Sequence, residues 1–294
     1  MEIKWLEDFL ALANTLNFSK AAEERHVTQS AFSRRIKQLE AWLGATLIDR
    51  ATYPSRLTDA GERFIPVAQE TLKGLYRVRR GFLVDEGADA QTVTFTALHT
   101  LSFTFFPPWL KELNAKFGPI LSRLRPDSGS MEDNANSLID GDCDFLLTYV
   151  HPSVPLLLNP KAFDSRLLGY ENIIAVSAPD GEGCPLHMLE RGAGPFPYIS
   201  YEKSSFFGQL LAELFSRRVP NYTLVHEGSM SVGLKGMSIA GWGVSWVPES
   251  LIKAELANGT LVRACSPSWD IEVEIRLYRS TGNRRPLVNR IWSS

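Results

Sequence analysis

The chain has 294 residues, 44% hydrophobic and 22% charged, with a formal net charge of −2; this is the composition of a soluble globular protein long enough for more than one core. The charge is uneven, net +2 over residues 1–85 and net −4 over the rest, which argues against broad coating of nucleic acid and suits contact through one small module. Cys143, Cys184 and Cys265 form no CxxC pair, so neither a zinc site nor a secreted disulfide framework is expected.

No apolar run reaches the length of a membrane span and the amino terminus carries no signal-peptide pattern, so a cytoplasmic location without a membrane partner is expected. Trp5, Phe9, Leu12, Ala13 and Leu16 recur at helical spacing, giving a first helix that walls a small core. Ser19 and Thr28 are hydroxyl N-cap candidates, each followed by helix formers, with a short step at His26-Val27 between them. Two short helices joined so tightly must cross steeply, as in a helix-turn-helix. On the second of them Phe32, Ile36, Leu39 and Leu43 share one side, while Ser30, Ser33, Arg34 and Lys37 share the other. No Asp or Glu occurs from Thr28 to Leu39. Hydroxyls and cations without acids are the groups that meet phosphates and base edges in a major groove. The candidate DNA-binding residues on this helix are Gln29, Ser30, Ser33, Arg34, Arg35 and Lys37. Pro54 and Ser55 leave room for a turn or short β-wing. Arg50 and Arg56 bracket it as candidate phosphate contacts, pairing with nearby acids being the alternative.

The run from Trp5 to Gly61 resembles the amino-terminal domain of LysR-type transcriptional regulators. The resemblance is carried by Phe9, Asn17-Phe18-Ser19, Ala21-Ala22, Thr28-Gln29-Ser30-Ala31, Ser33-Arg34, Ile36, Leu39-Glu40, Gly44, Leu47, Arg50 and Leu57-Thr58-Asp59-Ala60-Gly61. Two positions depart from the family's pattern: Arg35 stands where Gln is usual, and Tyr53 stands in the wing where a basic residue is common.

Thr58 opens a longer helix with Asp59 and Glu62 in its first turn, where the helix dipole favours acids. Phe64, Val67, Ala68, Thr71, Leu72, Leu75 and Tyr76 give it an apolar stripe, and Arg77, Arg79 and Arg80 close it. A stripe on a helix leaving a small domain needs a partner surface, and the same helix of a second subunit is the simplest supply; the resemblance implies the same dimerising role. Residues 85–90 are small, polar and aperiodic, a hinge.

Beyond Gln91 the periodicity changes. Strands are expected at Thr92–Leu98, up to Thr148 after Gly141, and at Ile173–Ala178, Pro197–Tyr201, Tyr222–His226, Val244–Val247 and Ile271–Tyr278. Helices are expected from about Phe103 to Phe117 with Thr100 or Ser102 as cap, at Gly208–Arg217, at Met230–Ala240, and at the carboxyl end. Strand and helix alternate, so this half is α/β with mostly parallel sheets. Leu138, Gly141, Asp144 and the run Gly241-Trp242-Gly243-Val244-Ser245-Trp246-Val247-Pro248 make it similar to the LysR-type effector domain, itself akin to periplasmic solute-binding proteins. That likeness implies two subdomains joined by crossover strands, placed here near Phe163–Leu168 and Ser266–Val273, with a ligand cleft between them. The Ala31-Phe32-Ser33-Arg34-Arg35-Ile36 run and Ser229-Met230-Ser231 most resemble the hypochlorite-responsive members. The expected architecture is therefore an all-α winged helix-turn-helix domain (1–57), a linker helix and hinge (58–90), and an α/β effector domain (91–294). Its two periplasmic-binding-like subdomains are 91–165 with 270–294, and 166–269.

Ligands in open α/β sheets bind beyond the carboxyl ends of strands, where helix amino termini offer N–H donors. That rule selects Leu98, His99, Thr100, Ser102, Thr148, Tyr149, Tyr201, Ser204, Ser229 and Met230, with Val247 and Pro248 closing the far wall. Plain helix capping is the alternative for any single hydroxyl among them. Met230, Met237 and Cys184 are the redox candidates, although core packing is the simpler role for the two methionines. His99 has no second ligand at metal spacing, and neither metal nor cofactor is expected. Enzyme readings find no residues: Gly243-Val244-Ser245-Trp246-Val247 lacks the second glycine of a nucleophile elbow, and Gly241-Trp242-Gly243 lacks the third of a dinucleotide loop. The expected partners are double-stranded DNA, a second copy of the chain (a homodimer or a dimer of dimers) and a small-molecule effector or oxidant. The alternative is a constitutive dimeric DNA-binding protein whose carboxyl half is an oligomerisation scaffold.

Overall fold

The computed structural model describes residues 1–50, 55–83, 92–125, 130–156, 158–189 and 194–293, the side chains of 73, 77 and 79–83 apart. Hinge residues 85–90 and the side chains of Tyr53, Arg77, Arg79 and Arg80 lie outside them. The chain forms two compact units, Met1–Val84 and Asp85–Ser294.

In the first unit three of the four helices, α1 being the exception, begin where a side chain closes them. Helix α1 (Ile3–Thr15) ends at Leu16 in the left-handed region. Asn17, and not the expected Ser19, caps α2 (Phe18–Glu24), its Oδ1 accepting from the backbone N–H of Ser19 and Lys20 at 3.0 and 3.1 Å. One Asn oxygen there satisfies two orphan donors, which leaves Ser19 inside the first turn. Thr28 caps α3 (Gln29–Leu43) by accepting from Ala31 N–H at 3.3 Å, and Gly44 at φ 69° stops it. Strands β1 (Ile48–Asp49) and β2 (Arg56–Leu57) pair antiparallel as a small wing. Thr58 then closes the start of α4 (Asp59–Leu83), accepting from Gly61 N–H while its hydroxyl donates to the Thr46 carbonyl. Gly61 is required here, because a Cβ would stand 2.2 Å from the Leu47 carbonyl oxygen. Leu6, Phe9, Leu12, Phe32, Ile36, Leu39, Leu47 and Ala68 form the core, each large side chain contributing about 1.5–3 kcal/mol on burial.

The apolar stripe of α4 divides in two. Ala68 and Leu72 are buried in this core with Phe64 and Tyr76 packed against it. Val67, Leu75 and Val78 are 54%, 44% and 52% exposed. Residues 64, 68, 72 and 76 are four apart, so they form one row toward α1, and the second row is left uncovered within the unit.

The second unit runs β3 (Thr92–Ala97), α5 (His99–Thr104), α6 (Phe106–Phe117), β4 (Leu121–Arg125), α7 (Met131–Ile139), β5 (Phe145–Val150), β6 (Phe163–Ser177) and β7 (Phe196–Tyr201). It continues with α8 (Phe206–Arg218), β8 (Tyr222–Gly228), α9 (Ser231–Ile239), β9 (Ser245–Pro248), α10 (Lys253–Asn258), β10 (Val262–Arg263), β11 (Ile271–Ser280) and α11 (Pro286–Trp292). The expected helix 103–117 is two helices. Pro107 and Pro108 fit only at the start of α6, and Phe105 marks the break before it. Neither Thr100 nor Ser102 is a cap; Leu98 stands at that position without a side-chain bond.

Parallel pairing occurs where strand, helix and strand alternate: β3 with β4, β3 with β5, and β7 with β8. The two long strands add antiparallel pairs, so the sheets are mixed. β6 pairs with β11 from Phe163–Ser280 to Ile173–Ile271, then with β9 and β10 farther along. β6 and β11 thus lie side by side in one sheet and cover the two stretches where crossovers are expected. The second crossover strand starts at Ile271, since 267–269 form a 3-10 turn. Buried Asp144 accepts two bonds from Arg285 at 2.8 and 2.7 Å, one from Asn283 at 3.1 Å and one from Thr94 N–H at 2.9 Å. A buried carboxylate so fully paired ties the carboxyl-terminal segment to the sheet. In the Gly241-Trp242-Gly243 turn, Gly241 has φ 79°, and a Cβ on Gly243 would stand 2.4 Å from the Pro197 carbonyl oxygen.

Candidate functional site

The first surface is the outer face of α3. Phe32, Ile36 and Leu39 are fully buried, which turns Gln29, Ser30, Arg34 and Lys37 outward, with Ser33 at the margin. Among the described residues no acid lies within ion-pair reach of Arg34, Lys37 or the wing's Arg56. These cations are held in water, ready to replace counterions along a phosphate backbone.

Arg35 has different surroundings from the other cations of α3. It lies about 100° round the helix from Arg34, on the flank toward the core, and its Nη1 donates to Asp8 Oδ2 at 3.2 Å. Asp8 is 0% exposed and also accepts from Arg25 Nε at 2.9 Å. The Arg35 guanidinium is thus paired with a buried carboxylate, which Arg34 is not. Arg50 Nη2 donates to Glu40 Oε2 at 2.9 Å and its guanidinium lies 5.2 Å from the centre of the Phe18 ring. Glu40 Oε1 also accepts from the backbone of Leu47 and Ile48 at 2.9 and 3.1 Å, so the Glu40–Arg50 pair braces the wing against α3.

The second surface lies between the two halves of the effector unit. Thr100 Oγ1 donates to Ser231 Oγ at 2.9 Å and Tyr201 Oη donates to the same oxygen at 2.8 Å. All three side chains are buried. Burial holds the Tyr201 phenol well above its ordinary pKa against the opposing bond to Ser231, so it stays a donor. The Tyr149 ring stacks near Phe206 and Phe207, with centroids 5.9 and 5.2 Å apart, and Tyr201 meets Phe207 at 5.1 Å. The fold therefore brings Thr100, Tyr149 and Tyr201 to one buried junction, together with Ser231, which sequence reasoning missed.

The remaining candidates are spread more widely. Ser102 turns back to donate to the His99 carbonyl at 2.6 Å, and the His99 ring packs on Phe103. Thr148 is buried and bonds the Tyr149 carbonyl. Val247 and Pro248 are a correction: they are buried strand residues paired with Ile174 and Ile173, so they belong to the sheet's core and not to an open wall. Ser229 and Met230 are exposed. Ser204 lines a separate cavity of about 420 Å³, with Ser130, Met131, Asn136, Leu156 and Gln209 among its walls. Ser130 and Gln209 were also missed, although Ser130-Met131-Glu132-Asp133 carries a capping signal that the structure realises as Asp133 N–H to Ser130 Oγ at 3.4 Å.

Of the redox candidates, Met230 is 49% exposed, Met237 packs partly buried against the core, and Cys184 is a half-buried free thiol. Burial pushes the Cys143 thiol up to about 11, which keeps it protonated and inert. Among the described residues no group of three or more His, Cys, Asp or Glu side chains is placed to hold a metal ion. No helix among them is long and apolar enough to cross a membrane.

A capped helix-turn-helix with a wing, followed by a separate α/β unit with mixed sheets, has the layout of a DNA-binding regulator with a second domain. Residues 3–62 match the bacterial regulatory helix-turn-helix protein, lysR family, and residues 86–293 match the LysR substrate binding domain. The chain belongs to the LysR family and is a DNA-binding transcriptional regulator of that type. It is 28% identical over 293 residues to the HTH-type transcriptional regulator YjiE of Escherichia coli K12, covering 99% of this chain and 93% of YjiE. Among solved structures it is similar to Vibrio fischeri DarR in complex with DNA, at 30% identity and a TM-score of 0.62 over 100% of this chain and 97% of that one. Full-length HypT of Salmonella typhimurium, a hypochlorite-specific LysR-type regulator, is 27% identical with a TM-score of 0.59 over 100% and 96% of the two chains. The hypochlorite-responsive likeness seen in the sequence thus has a structural counterpart.

Proposed function

We propose that this regulator reads its operator with Gln29, Ser30, Ser33, Arg34 and Lys37 on α3, and grips phosphate with Arg56, as a homo-oligomer joined through α4. A small polar molecule or an oxidant acting on the effector unit changes that DNA binding. The observation that carries the DNA reading is the segregation on α3: Arg34 and Lys37 are exposed on the side away from the core, and the helix's third cation, Arg35, is paired with Asp8. Oligomerisation is supported by the uncovered Val67, Leu75 and Val78 row of α4. DarR, a relative of comparable length, was solved bound to DNA.

For the signal, two features support sensing. The cavity at Ser130, Ser204 and Gln209 offers hydroxyl and amide groups beside the first turn of α7. Met230 stands exposed at the start of α9, where conversion to a sulfoxide would place a polar group next to the Ser231 junction. A ligand or oxidation shifts the balance of the two subdomains only through differential affinity for their orientations.

The test is operator binding by the full-length protein during titration with hypochlorite and, separately, with a panel of small aliphatic and aromatic carboxylates. A saturable change with hypochlorite that Met230→Leu abolishes supports the oxidant arm. One with a carboxylate that Ser204→Leu abolishes supports the ligand arm. DNA binding indifferent to every probe would leave the effector half as a scaffold.

A further inference from the structure

Asp8 sits on α1 between Leu6 and Phe9 in the apolar core of the first unit. Around it runs a polar chain through three further helices. Tyr76 of α4 donates to Glu7, Arg25 donates to both Glu7 and Asp8, and Arg35 of α3 donates to Asp8. Arg25 is thus shared between two carboxylates. Burial works against the charged guanidinium, yet Asp8 and Glu7 outweigh it and hold the Arg25 pKa above its ordinary value. Lys4 also acts on Glu7, but of the two acids only Asp8 is fully buried, and a buried carboxylate that shares Arg25 gains from a second cation of its own. Arg35 is that cation, bonded directly to Asp8.

Arg35 has the reach to lie elsewhere. Its neighbour Arg34 is on the outward face, and a long, flexible arginine on the flank of a groove-facing helix can swing toward a phosphate. We infer that Asp8 is a specificity-determining residue that acts through Arg35: the buried carboxylate draws Arg35 inward, keeping a sequence-blind cation off the DNA backbone while Arg34 reads. Asp8 and Arg25 are positioning residues in this account, and Glu7 and Tyr76 fasten the same chain to the linker helix. The inference rests on α3 being the reading helix.

The probes are a duplex selected by the wild-type protein from a random pool and a scrambled duplex of equal length. Affinity for each is measured by fluorescence anisotropy across a range of KCl. Asp8→Asn frees Arg35, so the salt slope on scrambled DNA should steepen by about one unit. The preference for the selected duplex should fall by about tenfold. Arg35→Gln should leave slope and preference at wild-type values, and adding it to Asp8→Asn should restore the slope. A flatter slope for Arg35→Gln alone would show Arg35 already on phosphate and overturn the inference. So would an Asp8→Asn variant with unchanged slope and preference, the pattern of a residue that serves stability alone. If Asp8→Asn loses its native circular dichroism, the Arg35→Gln slope decides by itself. Arg34→Ala is the control. If it keeps full preference, the reading of α3 fails and this inference with it; if it loses preference while Asp8→Asn does not, only the inference falls.

Discussion

Replacing Ser231 with alanine removes the oxygen on which both Thr100 and Tyr201 depend. Each buried hydroxyl left without a partner costs about 1–3 kcal/mol, so the pair costs about 2–6 kcal/mol before the site relaxes. Thr100 lies in α5 after β3 and Ser231 opens α9, so the loss falls on the contact between these two helices. At the lower end, about 2 kcal/mol, local opening becomes about thirtyfold more frequent. Hydrogen exchange by mass spectrometry on the full-length protein reads this directly, because slow amides of α5 and α9 exchange through such openings. Thr100→Val, which leaves Ser231 still bonded to Tyr201, should cost about 0.5–1.5 kcal/mol. The double variant should cost less than the sum, with a coupling of about 0.5–3 kcal/mol. Wild-type exchange in peptides 99–104 and 231–239 of Ser231→Ala, or strict additivity, would refute the bridge.

Other expectations can be checked as simply. Val67→Asp with Leu75→Asp places charge in the uncovered row of α4 without touching the core, so the protein should sediment as a folded monomer with weakened operator binding; a wild-type sedimentation coefficient would show the row to be unpaired in the oligomer. Leu72→Asp, at a position only 7% exposed, should instead unfold the first unit, visible as a lost thermal transition. Gly61→Ala, with its added Cβ 2.2 Å from a backbone oxygen, should cost about 1–3 kcal/mol, read as a lower melting temperature of that unit.

The reading helix was legible in the sequence because charge and apolar side chains separate cleanly with helical period between Thr28 and Leu43. The Arg35–Asp8 pair was not legible because the two residues are 27 positions apart on different helices. A single Asp amid Leu6, Phe9 and Leu12 carries no local mark of being buried. The apolar stripe of α4 was visible, but its width hid that two rows serve two purposes. Val247 and Pro248 looked like a wall because a proline ends the strand, while the pairing with β6 that buries them is a long-range fact. β4 escaped notice because its Leu121-Ser122-Arg123-Leu124-Arg125 run is mostly exposed and lacks a strand's alternation. Ser231 went unsingled because its role depends on Thr100, 131 residues away, and the crossover strands were placed by family likeness and not by periodicity.

If α3 reads bases while the wing grips the backbone, Arg34 and Arg56 must differ in what their loss does to DNA binding. Arg34→Ala and Arg56→Ala are titrated against the selected duplex and its scrambled counterpart over a range of salt. Arg34→Ala should lose about 1–3 kcal/mol on the selected duplex alone, and Arg56→Ala should weaken both duplexes alike and flatten the salt dependence by about one unit. Equal losses on both duplexes for Arg34→Ala would contradict the account.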